Sequence, residues 1–489
     1  MTDLGQSTAT DLAAAIRDKR LGSRELLDHF VETIERRNPA VNAVVTLDVD
    51  RARAAAGAAD EAVARGDELG PLHGLPVTIK DALETAGIRS TGGATQLADH
   101  VPATDADAVA RVKAAGAIVF AKTNVPPWSG DNQTFNELFG ATRNPWDLTR
   151  SPGGSSGGPA VSVACGFTAF EIGTDIGGSI RMPAHYTGIC GHKPSFGIVG
   201  SRGYLDHEGG GLTEADVNVV GPLARSVGDL ELLLDVMSGP DRHRAPAWRL
   251  ELPPSRVPGG GPGGLRVGVW WDEPACPLDG EVAALLAAAA DLLAGEGAAL
   301  DDTSRPVGFV ESVDLFFTLI SAAISPSMTP EMWEGARGVE AMFPEAASPD
   351  PDEHPMLRMA RSVAIRHRDW LAVDAARELL RRRWAAWFED HDVLLCPVTP
   401  TAALPLSDVD SVTRTMTVNG ATRPNMDNMM WPGAIGVVYL PSTVVPVGRT
   451  AAGLPVGVQI VGPFLGDRTT LAVAARLAEL TGGYVPPPA

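Results

Sequence analysis

The chain has 489 residues and a formal net charge of −20 at pH 7, so nucleic acid and anionic membranes are excluded as nonspecific partners. Its 44% hydrophobic and 20% charged residues exclude intrinsic disorder and predict a globular protein. The N-terminus lacks a basic segment followed by an apolar one, and no uninterrupted apolar run of membrane-spanning length follows it. We therefore expect a cytoplasmic protein that acts on a small molecule and binds neither nucleic acid nor membrane.

The cysteines are few and scattered, which argues against a zinc site and against a disulfide framework. No CxxC pair occurs among the four: Cys165, Cys190, Cys276 and Cys396. We expect these residues to be buried free thiols, and we expect neither a metal nor a cofactor.

The first clear helical pattern lies at residues 23–37, where apolar side chains recur at the spacing of one helical face. Ser23 is the predicted N-cap of this helix. Asn38 and Pro39 are its predicted end, because proline disfavours a helical conformation in the residue before it.

Alternating strands and helices follow. Residues 76–79 are apolar and β-branched, which is typical of a buried strand, and this strand delivers Lys80 at its end. Residues 106–115 predict a helix, and residues 117–121 predict the next strand. This order of strand, helix and strand favours an α/β sheet.

A second alternation follows a glycine-rich segment. Residues 159–165 predict a helix and residues 167–172 a strand, and residues 173–178 predict the turn that leaves the strand. Ser155 and Ser179 therefore lie at the ends of elements, where catalytic groups usually sit.

The second half of the chain opens with a proline- and glycine-rich connector at residues 253–264, after which a strand-like segment is expected to return to the same sheet. Residues 344–355 are acidic and proline-rich and predict a loop. The later predicted elements are strands at 393–396, 443–447 and 456–461, and a closing helix at 469–480.

Lys80 is the first candidate catalytic side chain. A serine hydroxyl needs a base to take its proton, and lysine can be that base only when it is neutral. Holding a group with a pKa of about 10.4 neutral at pH 7 costs about 4.6 kcal/mol unless burial lowers that pKa. The apolar strand supplies such burial, although a structural lysine paired with a carboxylate also fits this residue taken alone.

Two adjacent serines, Ser155 and Ser156, lie in the segment SPGGSSGG. Taken alone, this segment fits a flexible linker as well as a shaped loop. It also satisfies Gly-x-Ser-x-Gly, the nucleophile elbow of α/β-hydrolases, and several histidines follow it. That elbow requires a strand directly before it, and the preceding RNPWDLTRSP predicts none, so we disfavour this alternative.

The segment GTDIGGSIR is more specific. Backbone N–H groups at Ile176, Gly177 and Gly178 directly precede Ser179, and in a tight turn they would point at an oxygen that develops negative charge. Glycine suits this turn because a side chain would block either the substrate or the required backbone angles. A plain glycine turn at the end of a strand is the competing interpretation. One lysine and two serines in glycine-rich turns together predict a serine hydrolase that uses lysine where others use histidine and that cleaves amides.

Taken in order, these segments resemble the amidase signature family. GLPVTIKD, SPGGSSGG and GTDIGGSIRMPAHYTGICGHKP are similar to its central stretch, and the 24-residue spacing from Ser155 to Ser179 agrees with it. AKTNVPP, FGATRNPWD and PVGRTAAGLPVGVQIVGP resemble it too, and the resemblance is weakest at residues 240–390. The resemblance implies an α/β fold in one domain over residues 1–489, with a large twisted mixed β-sheet flanked by α-helices.

The resemblance also implies a Ser-cisSer-Lys triad. In this triad Ser179 is the nucleophile, Ser155 is the bridging serine after a cis peptide bond, and Lys80 is the general base. The three N–H groups before Ser179 would form the oxyanion hole. The implied reaction is hydrolysis of an amide through an acyl-enzyme on Ser179, without a metal or a cofactor.

The substrate site is implied less specifically. In the family, a stretch upstream of the bridging serine helps to line the pocket, and here it contains Trp128, Gly130 and Asp131. We predict that these residues contact the substrate, although Trp128 also fits a core tryptophan. Asp175 and Arg181 are predicted to pair and to hold the turn before the nucleophile.

The resemblance divides the single domain into two functional parts. Residues 60–240 are the motif-bearing catalytic core, and residues 241–390 are a variable region that shapes the substrate site. The family also implies a homodimer. It leaves the amide itself open, because its members act on aliphatic, aryl, fatty and cyclic amides and on some hydrazides and esters.

Two alternatives remain open. One is the ammonia-producing subunit of a tRNA-dependent glutamine amidotransferase, although VPPWSGDNQ and FNEL stand where such subunits usually carry a DEFAM-like segment and ENS. The other is a catalytically silent binding protein that has kept the fold, although Lys80, Ser155 and Ser179 are all present.

Overall fold

A computed structural model describes residues 4–257, 261–342 and 360–488 of the chain. The helices in these ranges include α1 (Ala9–Arg17), α2 (Ser23–Val41), α3 (Val49–Arg65), α4 (Asp107–Ala114), α5 (Gly157–Ala164), α6 (Arg181–Thr187), α7 (Val227–Met237), α8 (Gly280–Gly295), α9 (Phe309–Ile324), α10 (Pro330–Met342), α11 (His367–Asp390), α12 (Met430–Gly436) and α13 (Asp467–Thr481).

The strands are β1 (Val44–Leu47), β2 (Pro76–Lys80), β3 (Ile118–Thr123), β4 (Phe135–Asn136), β5 (Gly140–Ala141), β6 (Glu171–Asp175), β7 (Cys190–Lys193), β8 (Val219–Ala224), β9 (Arg266–Val269), β10 (Ala299–Asp301), β11 (Val393–Pro397), β12 (Thr415–Val418), β13 (Ala421–Pro424), β14 (Ser442–Arg449) and β15 (Pro455–Val461).

The large sheet has eight strands in the order β10-β9-β11-β15-β14-β7-β8-β6. Strand β9 pairs parallel with β10 and β11, whereas the remaining neighbours pair antiparallel, so the sheet is mixed. The middle strands β7, β11 and β15 are fully buried, because helices cover the sheet. The predicted α/β fold with a large mixed sheet flanked by helices is confirmed.

A smaller sheet carries Lys80. Its order is β1-β3-β2, and β2 pairs parallel with β3 in a register that places Lys80 opposite Thr123. Both strands are buried along their whole length, as their apolar and β-branched residues predict. Strand β2 also packs against β6, the edge strand of the large sheet. This contact brings the end of β2 to the turn that follows β6.

Most predicted elements agree with the structure. The strands around Lys80, the helix after the glycine-rich segment and the closing helix are confirmed within a few residues. The segment after the connector returns to the large sheet as β9, as expected. The predicted acidic loop at residues 344–355 lies outside the described residues.

The opening helix was predicted with wrong ends. Ser23 is its first helical residue and Gly22 is the N-cap, and the helix continues through Pro39 to Val41. It ends at Asn42, which has a φ of 52° and donates its N–H to the Asn38 carbonyl at 2.7 Å. A left-handed Asn42 therefore ends this helix instead of the proline.

The strand predicted at residues 167–172 was also displaced. The observed β6 is Glu171–Asp175, and it pairs with β8 from Glu171 opposite Leu223 to Asp175 opposite Val219. The preceding carbonyls of Thr168 and Ala169 accept hydrogen bonds from the guanidinium of Arg225 instead of from a strand. The tertiary contact with Arg225 therefore keeps this apolar segment irregular.

The core consists mainly of aliphatic side chains on both sides of the sheets, and the four cysteines are buried free thiols, as expected. A second cluster of aromatic and aliphatic side chains joins α9, α11 and α12.

By length and composition alone, one described helical stretch, Phe309–Ser327, could cross a membrane, because its mean hydropathy is 1.4. In this structure 39% of it is buried. Core helices meet the same criterion, and α9 packs against α11 and α12.

Candidate active site

The amine of Lys80 lies at the centre of a group of hydroxyls. Its Nζ atom is 2.7 Å from Ser155 Oγ, 3.0 Å from Ser156 Oγ and 2.7 Å from Thr174 Oγ1. The lysine is fully buried, because β2 ends between β6 and the loop that carries the two serines. No carboxylate lies within salt-bridge distance of this lysine among the described residues, so the simple alternative of a paired structural lysine does not apply.

Burial controls the charge of Lys80. It lowers the pKa of the amine to about 7, although the negative charges of Asp175 and Glu171 oppose this shift. A substantial fraction of the amine is therefore neutral near pH 7. A neutral amine in contact with a serine hydroxyl has the chemistry of a general base.

The loop that carries Ser155 and Ser156 is tightly packed. The peptide bond between Gly154 and Ser155 is cis, as the resemblance implies. A Cβ on Gly154 would lie 2.5 Å from the carbonyl oxygen of Asp131, so only glycine fits at this position. The glycine-rich segment is thus a shaped loop and not a flexible linker.

Ser179 follows the turn after β6 and is 8% exposed, whereas Ser155 and Ser156 are fully buried. The backbone N–H of Ser156 donates to the carbonyl of Ser179 at 3.2 Å, which joins the two loops. No hydrogen bond links the hydroxyls of Ser155 and Ser179 in the described part of the chain. The structure therefore brings Lys80 and Ser155 into direct contact and places Ser179 next to them through the backbone.

Asp175 organises the turn before Ser179. It accepts N–H groups from Gly178 at 2.8 Å and Ile180 at 3.1 Å, and it forms a bidentate ion pair with Arg181 at 2.8 and 3.0 Å. Burial opposes ionisation of this carboxyl, but the charge of Arg181 prevails and lowers the pKa of Asp175 to about 2. The predicted pairing of Asp175 and Arg181 is confirmed.

The same contact bears on the predicted oxyanion hole. The Gly178 N–H already donates to Asp175 at 2.8 Å, whereas Asp175 accepts no N–H from Ile176 or Gly177. Ile176 is half-buried and Gly177 is buried. A developing oxyanion at this turn would therefore depend first on the N–H groups of Ile176 and Gly177.

Of the predicted substrate-binding residues, Asp131 lies next to the cis peptide bond, because its carbonyl oxygen is 2.5 Å from a Cβ placed on Gly154. Trp128 is half-buried, has a φ of 52° and donates its N–H to the Gly92 carbonyl at 2.9 Å. Gly130 is exposed. Asp131 is paired with Arg414 at 2.9 Å, so its charge is already compensated within the protein.

Two residues of the site, Thr174 and Glu171, were not identified from the sequence. Thr174 and Glu171 lie on β6, and Glu171 Oε1 accepts the hydroxyls of Thr78 and Thr123, each at 2.7 Å. Burial raises the pKa of Glu171 to about 7, and the hydrogen bonds from Thr78, Thr123 and the Ile172 N–H oppose that rise. The polar residues inside a buried strand were a signal that could have identified both side chains.

The buried histidines have partners away from the serines. The ring nitrogens of His185 contact backbone atoms of Gly457 and Thr401 at 3.1 Å, and burial lowers its pKa to about 4. His192 contacts Thr443 and Asp467. Within the described residues no histidine contacts Ser155, Ser156 or Ser179, so the geometry does not support a nucleophile elbow.

In the same residues no group of three His, Cys, Asp or Glu side chains is suited to hold a metal ion.

Known proteins resemble this chain over nearly its whole length. The family model described as Amidase matches residues 25–471. A glutamyl-tRNA(Gln) amidotransferase subunit of Roseiflexus sp. (strain RS-1) is 34% identical over 496 aligned positions, which cover 98% of this chain and 98% of that protein.

Two solved structures have the same fold. The structure of a bacterial aryl acylamidase of the amidase signature enzymes family is 26% identical, with a TM-score of 0.80 and coverage of 97% of this chain and 96% of that one. A chain from a vestigial protein complex, described as revealing the evolutionary origins of an s-triazine catabolic enzyme, is 26% identical, with a TM-score of 0.79 and coverage of 98% and 99%.

Proposed function

Because the chain belongs to the amidase signature family and is an enzyme that cleaves amide C–N bonds, we propose that it does so through an acyl-enzyme on Ser179. In this proposal Ser155 carries the proton and Lys80 is the general base. The observation that carries it is the contact of 2.7 Å between the buried Lys80 amine and the Ser155 hydroxyl.

The surroundings of Lys80 support a direction for this proton transfer. A neutral amine has two N–H donors and one lone pair, so two of its three hydroxyl neighbours accept a hydrogen bond and the third donates one. Ser156 donates its own hydroxyl to the Thr174 carbonyl at 3.3 Å, and it therefore accepts from Lys80. If Thr174 Oγ1 accepts the other N–H, the lone pair faces Ser155.

The proposed reaction then proceeds in balanced steps. Lys80 takes the Ser155 proton while Ser155 takes the proton of Ser179, and Ser179 Oγ bonds to the amide carbon. The tetrahedral oxyanion is held by the N–H groups of Ile176 and Gly177, with Gly178 contributing where its bond to Asp175 permits. Ser155 gives a proton to the leaving nitrogen and recovers one from Lys80 as the C–N bond breaks. Water then takes the place of the amine, gives its proton to Ser155 and Lys80, and attacks the acyl carbon, and Ser179 leaves with a proton as the acid is released.

One candidate substrate is the side-chain amide of glutamine. The name of the 34% identical relative favours the alternative of an amidotransferase component more than it favours a free-standing amidase. In that case the product is ammonia, and partner proteins and tRNA would be involved. The expectation that the protein has no nucleic acid partner is thus open, and the charge of −20 favours contact through another protein of such a complex.

The second candidate is a free-standing amidase that acts on a small carboxylic amide. It is supported by the segments VPPWSGDNQ and FNEL, which depart from those that amidotransferase subunits usually carry. The cytoplasmic location, the homodimer and the substrate-shaping role of residues 241–390 stay predictions.

The test is ammonia or amine release from a panel of short aliphatic, aryl and long-chain amides and L-glutamine. Wild type is compared with Ser179→Ala and Lys80→Ala, and Lys113→Ala, which removes a surface lysine paired with Asp105, is the matched control. We expect both site variants, and not the control, to abolish turnover. Activity that survives Ser179→Ala, or failure of a fluorophosphonate probe to label Ser179, would overturn the proposal and favour a silent binding protein.

A further inference from the structure

Three apolar side chains meet the turn where the oxyanion would form. A Cβ placed on Gly177 would lie 2.5 Å from Met429 Cε, 3.4 Å from Phe316 Cζ and 3.5 Å from Ile320 Cδ1. Phe316 and Ile320 lie one turn apart on α9, whereas Met429 directly precedes α12. Side chains from two distant parts of the chain therefore cover one side of Gly177.

We propose that Met429, packed with the buried Phe316 and Ile320, forms the wall that receives the acyl group, so that the enzyme selects amides of apolar carboxylic acids. This inference rests on the proposed function, because it assumes that the carbonyl oxygen binds at the Ile176 and Gly177 N–H groups. It names the substrate class that the sequence left open.

The distances around a bound carbonyl support this assignment. An oxyanion lies about 2.7–3.1 Å from its N–H donors, and the carbonyl carbon is only about 1.2 Å further. The first atoms of the acyl group therefore begin close to Gly177. Since the tip of Met429 comes nearest to the same glycine and the Phe316 ring is fully buried, an acyl group bound there packs against Met429 or displaces its flexible side chain.

The wall is attached to the catalytic turn. Arg181, which pairs with Asp175, also donates to the Pro432 carbonyl at 2.9 Å. A Cβ on Gly178 would lie 2.9 Å from the Pro432 ring, and a Cβ on Gly433 would lie 2.3 Å from Phe316 Cδ1. Glycines at both positions thus let α12 and the Phe316 ring approach the turn closely.

The two residues on α9 are rigid and the third can move. Phe316 is fully buried and Ile320 is 5% exposed within the aromatic cluster of α9, α11 and α12. Met429 is only half-buried, and its unbranched side chain adapts to neighbouring volume. Met429 is therefore the residue that sets how large an acyl group fits.

The apolar character of the wall disfavours an amino acid as the acyl donor. Asp427, two residues before Met429, is buried and paired with Arg423 at 2.6 Å. A glutamine molecule would bring an ammonium and a carboxylate to a wall of hydrocarbon and thioether groups, and unpaired charges are costly to bury. An aliphatic or aryl acyl group has no such cost.

The experiment measures kcat/KM for straight-chain acyl p-nitroanilides from acetyl to octanoyl, for benzoyl p-nitroanilide and for L-glutamine. The variants are Met429→Ala and Met429→Leu. Met430→Ala is the matched control, because it makes the same substitution at the adjacent position. Met430 is not among the three nearest side chains to Gly177. Labelling of Ser179 by a small fluorophosphonate checks the catalytic centre independently.

We expect wild type to prefer an apolar acyl group over L-glutamine by about tenfold or more, the size of effect that one or two methylene contacts supply. Met429→Ala should shift the preference toward longer or bulkier acyl groups by about tenfold, whereas Met429→Leu and Met430→Ala should not. L-glutamine as the best substrate, or an unchanged chain-length preference in Met429→Ala with Ser179 still labelled, would overturn this inference and leave the proposed function intact. Loss of labelling in wild type would instead overturn the proposed function.

Discussion

The Oε1 atom of Glu171 accepts the hydroxyl of Thr78 at 2.7 Å, and this contact joins the two sheets that carry the candidate catalytic groups. Thr78 lies on β2, two residues before Lys80, and Glu171 lies on β6, three residues before Thr174. A hydrogen bond to a buried carboxyl therefore helps to set the distance between Lys80 and the hydroxyls that surround it. The charge of Glu171 also acts on the amine.

Replacing Glu171 by glutamine should shift the pH profile of the enzyme. The charges that face Lys80 are Asp175 and Glu171, and both raise its pKa against the effect of burial, while Lys122 faces Glu171. Glu171→Gln keeps a carbonyl oxygen for Thr78 and removes the negative charge, so the pKa of Lys80 should fall. We expect the acidic limb of kcat/KM, which lies near pH 7, to move to lower pH.

The control for this change is Glu137→Gln, which removes an exposed carboxylate that is not among the charges acting on Lys80. This control should leave the acidic limb of the kcat/KM profile at the pH of the wild type. An unchanged limb in Glu171→Gln, with the enzyme folded and active, would show that Glu171 carries no charge in the active form.

Thr174→Val should lower kcat and leave KM nearly unchanged. The variant keeps the shape of the side chain but removes the oxygen that lies 2.7 Å from Lys80 Nζ. The amine is then free to turn its lone pair away from Ser155, which weakens the base without changing substrate contacts. We expect a loss of about 10- to 100-fold in kcat, within the contribution of a positioned base.

Thr187→Val is the matched control, because Thr187 is equally buried and its hydroxyl donates to the Pro183 carbonyl within α6. Steady-state kinetics of both variants measures the difference. A rise in KM at constant kcat for Thr174→Val would contradict a role in orienting Lys80.

The stability of the protein should depend on Lys80 in a pH-dependent way. The unfolded chain keeps the Lys80 proton up to the ordinary pKa of 10.5, whereas the folded chain releases it at about 7. Between these values the folded state binds fewer protons, so the contribution of Lys80 to the free energy of unfolding rises with pH.

Chemical denaturation of wild type and Lys80→Met at pH 7, 8 and 9 tests this expectation. The free energy of unfolding of wild type should increase relative to that of the variant by up to about 1.4 kcal/mol per pH unit. Lys19→Met, which removes an exposed lysine, serves as the comparison and should give a constant difference. A gap between wild type and Lys80→Met that stays constant as the pH rises would mean that Lys80 is charged in the folded state.

Gly433→Ala should destabilise the fold at the acyl wall. A Cβ at this position would lie 2.3 Å from the buried ring of Phe316, so either the ring or α12 must move. Overpacking of this kind costs about 1–3 kcal/mol. Gly335→Ala, in α10 with no heavy atom within 4 Å of the added Cβ, should be neutral or stabilising by up to about 1 kcal/mol. Equal unfolding midpoints for the two variants would contradict close packing of α12 on α9.

Local sequence determined much of the fold around the site. The β-branched run before Lys80 formed a buried strand, and the glycine-rich segments formed turns, because these properties depend on residues that are neighbours in the chain. Errors occurred where a distant side chain or an unexpected cap intervened. Arg225 holds the carbonyls before β6, and Asn42 ends α2 beyond Pro39.

The sequence by itself determined the chemical types at the site, namely one lysine in an apolar strand and serines in glycine-rich turns. Only the tertiary structure decided their charges and neighbours, because burial sets the pKa of Lys80 and the packing of β6 on β2 brings Thr174 and Glu171 to it. The acyl wall also depends on tertiary structure alone. Gly177 and Met429 are far apart in the chain, and only the packing of α12 against the turn brings them into contact.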